Sequence, residues 1–119
     1  MKIININGNM CLFSNKKYNK NEIIHKLTGS ISKTPSKISI EISKNVHITD
    51  QFGQYMNHSF SPNCKIENGY IISLDNINEN EELTFNYNDN ETNMACPFID
   101  NKTKISVCGK NKLKYYNSV

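Results

Sequence analysis

The chain has 119 residues, enough for one modest core and too few for two domains. Its formal charge is +3 and all fourteen basic residues are lysine, so overall basicity does not mark it as a nucleic-acid binder. No stretch approaches the ~20 apolar residues that span a bilayer, and the opening residues lack the sustained apolar run of a signal peptide.

An intracellular, reducing location is therefore expected, with no membrane partner. Cys11, Cys64, Cys96 and Cys108 then read as free structural thiols, since none forms a Cys-x-x-Cys pair. A single zinc site built from all four is the alternative, and no metal is expected.

In chain order, Ile3 to Ile6 predicts a short strand, Gly8-Asn9 a turn, and Met10 to Phe13 a second apolar strand. Asn19-Lys20-Asn21 turns the chain into a strand over Glu22 to Leu27, with Ile23 and Ile24 as a buried pair. Thr28 to Lys37 is rich in Gly, Ser, Thr and Pro and reads as a surface loop. Ile38, Ile40 and Ile42 alternate, Ser43-Lys44-Asn45 turns, and Val46 to Ile48 returns as a hairpin partner. Asp50 to Tyr55 predicts a short helical turn.

The next segment, Tyr55-Met56-Asn57-His58-Ser59-Phe60-Ser61-Pro62-Asn63-Cys64, mixes turn-forming polar residues with apolar ones. By itself it reads as a well-ordered turn. Cys64 to Glu67 and Tyr70 to Leu74 flank Asn68-Gly69, the strongest short hairpin signal in the chain. Asn78 to Glu81 turns again, Asn80 being suited to positive φ. Glu81 to Tyr87 then alternates as a strand with Leu83, Phe85 and Tyr87 on one face. No amphipathic helix and no repeat is found. The fold class is mainly β, in several short sheets.

Asn-His-Ser-x-x-Pro-Asn followed by Glu-Glu-Leu-Thr-Phe-x-Tyr, in that order and separation, resembles the SET-domain protein lysine methyltransferases. The resemblance implies one β-clip-like SET domain with a knot-like crossing near the Asn-His-Ser segment. Residues 1–91 would be its core, and 92–119 would resemble a post-SET tail. It further implies S-adenosyl-L-methionine as cofactor and a lysine-containing protein or peptide, such as a basic histone-like tail, as substrate. If that substrate is chromatin, the nucleus joins the cytoplasm as an expected location.

By the same resemblance Tyr87 is the catalytic tyrosine, and Asn57 and His58 contact the cofactor. Asn9 and Met10 stand in the family's Gly-x-Gly-x-Phe region. Phe98 would cover the adenine or plug the core, and Tyr55 and Phe85 would border the lysine channel. Phenylalanine at position 85 leaves room for di- or trimethylation. The sequence departs from the family at several places, one of them Asn80 where glycine is usual. Asn9 and Cys11 replace glycines, the strand around Ile40 lacks a tyrosine, and Phe60 replaces the motif cysteine that would help the tail hold zinc. Met94 to Phe98 and Lys112 to Tyr116 still resemble the ends of such a tail.

Bland readings stand beside these. Tyr87 and Phe85 could be plain core, His58 a buried structural histidine, and His25 and His47 strand residues. The acidic residues around Tyr87 (Asp75, Glu79, Glu81, Glu82, Asp89 and Glu91) could be a solvated face. The competing function is a binding module that has lost its cofactor and recognises a basic protein or, through Lys102, Lys104, Lys110, Lys112 and Lys114, nucleic acid.

Overall fold

The computed structural model describes residues 1–111, so the expectation for Lys112 to Tyr116 lies outside the described residues. The described residues form twelve short strands. They are β1 (Lys2–Ile6), β2 (Asn9–Phe13), β3 (Ile23–Lys26), β4 (Ser30–Ser32), β5 (Ile40–Ser43), β6 (Val46–Thr49), β7 (Asn57–His58), β8 (Cys64–Glu67), β9 (Tyr70–Ser73), β10 (Thr84–Phe85), β11 (Phe98–Ile99) and β12 (Ser106–Val107). A 3-10 turn covers Gly53–Tyr55, and one helical turn, α1, covers Tyr87–Asn90. Mainly β architecture in several small sheets is what the sequence predicts.

Two sheets have three strands, ordered β3-β9-β8 and β4-β6-β5; the pairs β1-β2, β7-β10 and β11-β12 complete the set. All are antiparallel except β7-β10, where Asn57 faces Thr84 and His58 faces Phe85 in parallel. Parallel strands need a long connection, and here the β8-β9 hairpin supplies it. This pairing joins the two motif segments at the place where the crossing is expected. Beneath it lies the core, where Leu12, Met56, Ile71, Ile77 and Leu83 are almost wholly enclosed.

Asparagine sets the turns. Among the described residues, five of the six non-glycine residues with left-handed backbone are asparagine, Lys104 being the sixth, because a short polar side chain lowers the cost of that conformation. The β8-β9 turn has Asn68 at φ 52° and Gly69 at φ 81°, as the Asn-Gly signal requires.

Several local expectations are corrected. The first hairpin turns at Asn7-Gly8 (φ 53° and 89°), because a tight turn wants both central residues left-handed; Asn9 therefore opens β2. The 28–37 loop contains β4, which adds to β6 at the sheet edge. Gly29 enters that strand at φ 140°, where a Cβ would sit 2.0 Å from the Thr49 carbonyl oxygen. Ile23 is exposed and only Ile24 is half-buried, since the β3-β9 register shifts between Ile23 and His25. A similar shift between Glu41 and Ser43 breaks the alternation of β5, so Ile40 and Glu41 are both buried while Ile38 is exposed. Finally, the predicted strand ending at Tyr87 stops at Phe85. The Asn86 side chain accepts the Asn88 N–H and caps α1, so Tyr87 is the first helical residue.

Candidate active site

The two motif segments are tied by a small set of hydrogen bonds. Asn63 is a two-sided clamp: its Oδ1 accepts the Thr84 N–H at 2.9 Å and its Nδ2 donates to the Glu82 carbonyl at 2.7 Å. Asn57 donates through Nδ2 to Glu82 Oε2 at 2.8 Å and to Cys11 Sγ at 3.2 Å. Both amide protons are thereby used, and the carbonyl oxygen is what Asn57 has left to offer a ligand. Burial first and Glu82 second push the Cys11 thiol up, so it stays protonated.

Below this layer, Asp50 is a fully buried hub. Its carboxylate accepts N–H bonds from Thr28, Phe52 and Gly53, each at 2.8 Å, and a contact from His25 Nε2 at 2.9 Å. Burial opposes its charge, but the Thr28 and Gly53 N–H groups, His25 and the Phe52 N–H outweigh it and hold the carboxyl below its ordinary range. This is where His25 acts structurally, and it fixes the 3-10 turn that leads into Met56.

Tyr87 and His58 interlock. The Tyr87 hydroxyl donates to the Met56 carbonyl at 2.5 Å, and the Tyr87 backbone N–H donates to His58 Nδ1 at 3.0 Å. With Nδ1 accepting, neutral His58 carries its proton on Nε2. That nitrogen is buried and has no hydrogen-bond partner among the described residues. Burial keeps the His58 pKa below its ordinary value, with Asp100 and Asp89 acting in the opposite direction. Burial, then Glu91 and Glu82, raise the Tyr87 pKa, so its hydroxyl stays protonated across the physiological range. The rings of Phe60 (4.3 Å), Tyr87 (5.2 Å) and Phe98 (6.1 Å) surround the imidazole between centroids. Phe60 is thus the nearest of these rings to the imidazole and packs edge-on against it.

A cavity of about 280 Å³ opens on this cluster. Asn57, His58, Phe85, Tyr87 and Phe98 all line it, so the structure brings together five of the eight residues singled out in the sequence. Phe85 and Tyr87 remain neighbours at 4.8 Å between ring centroids, although a helical turn rather than strand alternation places them so. Phe98, on β11, is partly exposed at the rim. Asn9, Met10 and Tyr55 do not line the cavity. Asn9 and Met10 lie exposed on β2, with the buried Cys11 as the next residue, and Tyr55 ends the 3-10 turn half-buried against the core.

Sequence reasoning missed one pair. Glu41 and Glu91 are both buried and clasp each other's segments. Glu91 accepts the Glu41 N–H through Oε2 at 3.0 Å, and Glu41 accepts the Thr92 N–H at 2.7 Å and the Thr92 hydroxyl at 2.8 Å. Glu91 also lines the cavity. Burial, against the Glu41 N–H and Asn90, pushes its pKa up to about 7. The acidic group around Tyr87 is therefore not uniformly a solvated face. The available signal was a carboxylate amid the isoleucines of β5, which alternation assigned to the solvent side.

The SET-domain family profile matches residues 3–88. Among curated proteins the sequence finds no significant match. Similar solved structures include a humanized mutant of the Chaetomium thermophilum Polycomb Repressive Complex 2 bound to an inhibitor. It has a TM-score of 0.54 at 19% identity over 84% of this chain and 17% of that one. Another is an autoinhibited form of that complex bound to S-adenosylmethionine, with a TM-score of 0.55 at 18% identity over 82% of this chain and 18% of that one. The protein thus spans under a fifth of the chains it resembles, and at these identities the likeness establishes the fold. With the profile covering most of the chain and both motif segments meeting at one cavity, the chain belongs to the SET-domain family.

Proposed function

We propose that this protein is an S-adenosylmethionine-dependent protein-lysine N-methyltransferase. The observation that carries the reading is the Tyr87 hydroxyl, anchored on the Met56 carbonyl inside a cavity shared with Asn57 and His58. Membership of the SET family supports it, as does the S-adenosylmethionine bound by the autoinhibited complex of the same fold.

The residues fit such a cofactor on a structural ground. The buried Nε2–H of His58 has no acceptor among the described residues, and a polar ligand in the cavity would supply one. Asn57 would hold the amino-acid end through its carbonyl, and Phe98 would cover the rim. When bound, S-adenosylmethionine supplies an electrophilic methyl group on a cationic sulfur. Because the Tyr87 proton is given to Met56, the phenolic lone pairs are free to accept from an amine N–H and orient the nitrogen. The aromatic rings of Phe85, Tyr87 and Phe98 would partly desolvate an entering amine, which favours the neutral form that attack requires. His58 is no general base, since Nδ1 is occupied by the Tyr87 backbone and nothing pairs it with a nucleophile.

The substrate class follows as a lysine-bearing protein, for which a basic, histone-like tail fits the acidic surroundings of Tyr87. Phe85 favours more than one methyl transfer. The competing reading, a cofactor-free binding module, draws on Asn9 and Cys11 at glycine positions and on the exposed Lys102, Lys104 and Lys110 as a nucleic-acid contact.

The test is Tyr87→Phe with cofactor calorimetry and mass spectrometry of candidate basic proteins. Removing the hydroxyl should leave cofactor affinity intact and raise the barrier by ~2–4 kcal/mol. Undiminished turnover in the variant removes Tyr87 from the chemistry, and no cofactor heat in wild type favours the module.

A further inference from the structure

Glu91 is the one acidic side chain among the described residues that line the cavity, and Lys37, exposed at the rim, is the one lysine. The Glu91 side chain is 6% exposed and has no lysine within ion-pair distance among the described residues. Its acceptor capacity is unevenly spent. Oε2 takes the Glu41 N–H at 3.0 Å and the Asn90 amide at 2.5 Å, while Oε1 has only a 3.3 Å contact to the same Glu41 N–H. A carboxylate oxygen has room for more than one donor. A buried carboxylate without a countercharge is costly, and a cation delivered by a ligand relieves that cost. Glu91 also sits one helical turn from Tyr87, its N–H donating to the Tyr87 carbonyl at 2.8 Å.

We propose that Glu91 is a specificity-determining residue that recognises positive charge on a primary alkylammonium side chain entering the cavity beside Phe85 and Tyr87. The inference rests on the lysine-methyltransferase reading for its biological meaning, but the binding it predicts does not require the cofactor. The charge arrives with the lysine ammonium and is lost before attack as a proton passes to solvent; it would return to the nitrogen when the N–C bond forms and the methyl–sulfur bond breaks, leaving a neutral thioether. Glu91, which burial holds partly protonated in the empty cavity, ionises as an ammonium enters beside it, and the resulting carboxylate favours the charged substrate and the methylammonium product over neutral side chains of equal length. The other groups near Glu91 leave this role to it: Lys110 bonds the Glu91 carbonyl through its backbone N–H and acts on the carboxylate without forming an ion pair, Glu41 is committed to Thr92, and the Tyr87 hydroxyl is committed to Met56.

The experiment titrates n-butylammonium, the lysine side chain without a peptide, and n-butanol, its neutral counterpart, into the full chain. Shifts of the Phe85 and Tyr87 ring resonances are followed by NMR. Wild type should prefer the ammonium by about tenfold or more, the range of a charge-assisted hydrogen bond. Glu91→Gln should abolish the preference without weakening butanol, and Glu91→Asp, which keeps the charge, should retain part of it. A purely structural clasp would move both ligands together. Equal binding of the two ligands by wild type, no binding of either, or an unchanged preference in Glu91→Gln each overturns the proposal. If Glu91→Gln does not fold, Glu91→Asp decides: a reduced ammonium preference with unchanged butanol binding supports the proposal, and a preference equal to wild type overturns it. Cofactor calorimetry on the same samples reports separately on the methyltransferase reading.

Discussion

The β7-β10 pair and the β11-β12 pair are the same size, two residues against two, yet they are secured in opposite ways. At β7-β10 the strands are embedded. Phe85 of β10 and Met56 just before β7 are buried, Asn63 clamps one strand, and Asp50 holds the turn that precedes the other. At β11-β12, Val107 is buried and Phe98 turns one edge to the His58 and Tyr87 rings, but Ile99 is exposed, and the backbone of the tail is held by polar groups reaching from the core. Asn88 is the main one. Its Oδ1 accepts the N–H groups of Cys108 and Gly109, both at 3.0 Å, and its Nδ2 donates to Ser106 at 2.9 Å. An isolated two-stranded ladder is marginal in water, so what surrounds it decides its stability. The tail is a docked element held by these hydrogen bonds and by the buried Val107. The centre belongs to the core.

The sharpest way to break this comparison is Asp50→Ala. It would strand three N–H groups of Thr28, Phe52 and Gly53, and the expected loss is roughly 3–5 kcal/mol of global stability by denaturant titration. A small loss would mean that the centre is no more firmly built than the tail.

Glu91→Gln comes next and tests the clasp between β5 and the tail through pH. The carboxyl is raised from 4.5 to about 7, so the folded state holds a proton that the unfolded chain releases between those values. Its stabilising contribution is therefore complete below pH 4.5 and lost as pH rises toward 7. Wild type should lose up to about 3 kcal/mol over that window from this group, and Glu91→Gln should flatten the slope. His58 acts oppositely: its lowered pKa makes the protein lose stability as pH falls below the ordinary imidazole value. A variant whose pH profile matches wild type between 4.5 and 7 would remove Glu91 from that role.

Asn88→Ala should cost about 1–2 kcal/mol and act locally. Limited proteolysis should cut within 92–111 well before the core, with little change in the midpoint of global unfolding. A midpoint shift as large as that of Asp50→Ala would show that tail and core unfold together.

The smallest expected effect on stability is that of Phe85→Tyr. One hydroxyl added at a 3% exposed ring beside Tyr87 should change stability by about 1 kcal/mol or less if it reaches the cavity. Under the proposed activity, products should shift toward monomethyl-lysine without a proportionate loss of the first transfer. Wild type that stops at one methyl group with excess cofactor would defeat that part of the proposal.

The local features were the most legible in the sequence. Asn68-Gly69 specified its hairpin because tight turns demand left-handed backbone at both positions, and Asn80 turned as expected at φ 66°. The polar motif around Asn57 and Asn63 was recognisable because an enclosed irregular segment must carry its own hydrogen-bonding groups. Less legible were features set by register. Nothing in Ser30–Ser32 marks it as a strand; it pairs because β6 presents an open edge. The bulge in β5 turned Glu41 inward against the apparent alternation.

The sequence by itself determined the mainly β class, the hairpin turns and the family to which the two motif segments belong. These depend on backbone preferences and on short-range spacing, which a linear string records. Tertiary structure alone decided that Tyr87 starts a helical turn and ties its hydroxyl to Met56. It also put Glu41 and Glu91 together and left Asn9, Met10 and Tyr55 outside the cavity wall. These outcomes depend on which residues, distant along the chain, arrive at one place and lose water together. Burial and pairing at that place, rather than residue type, set the charge state and partners of each group.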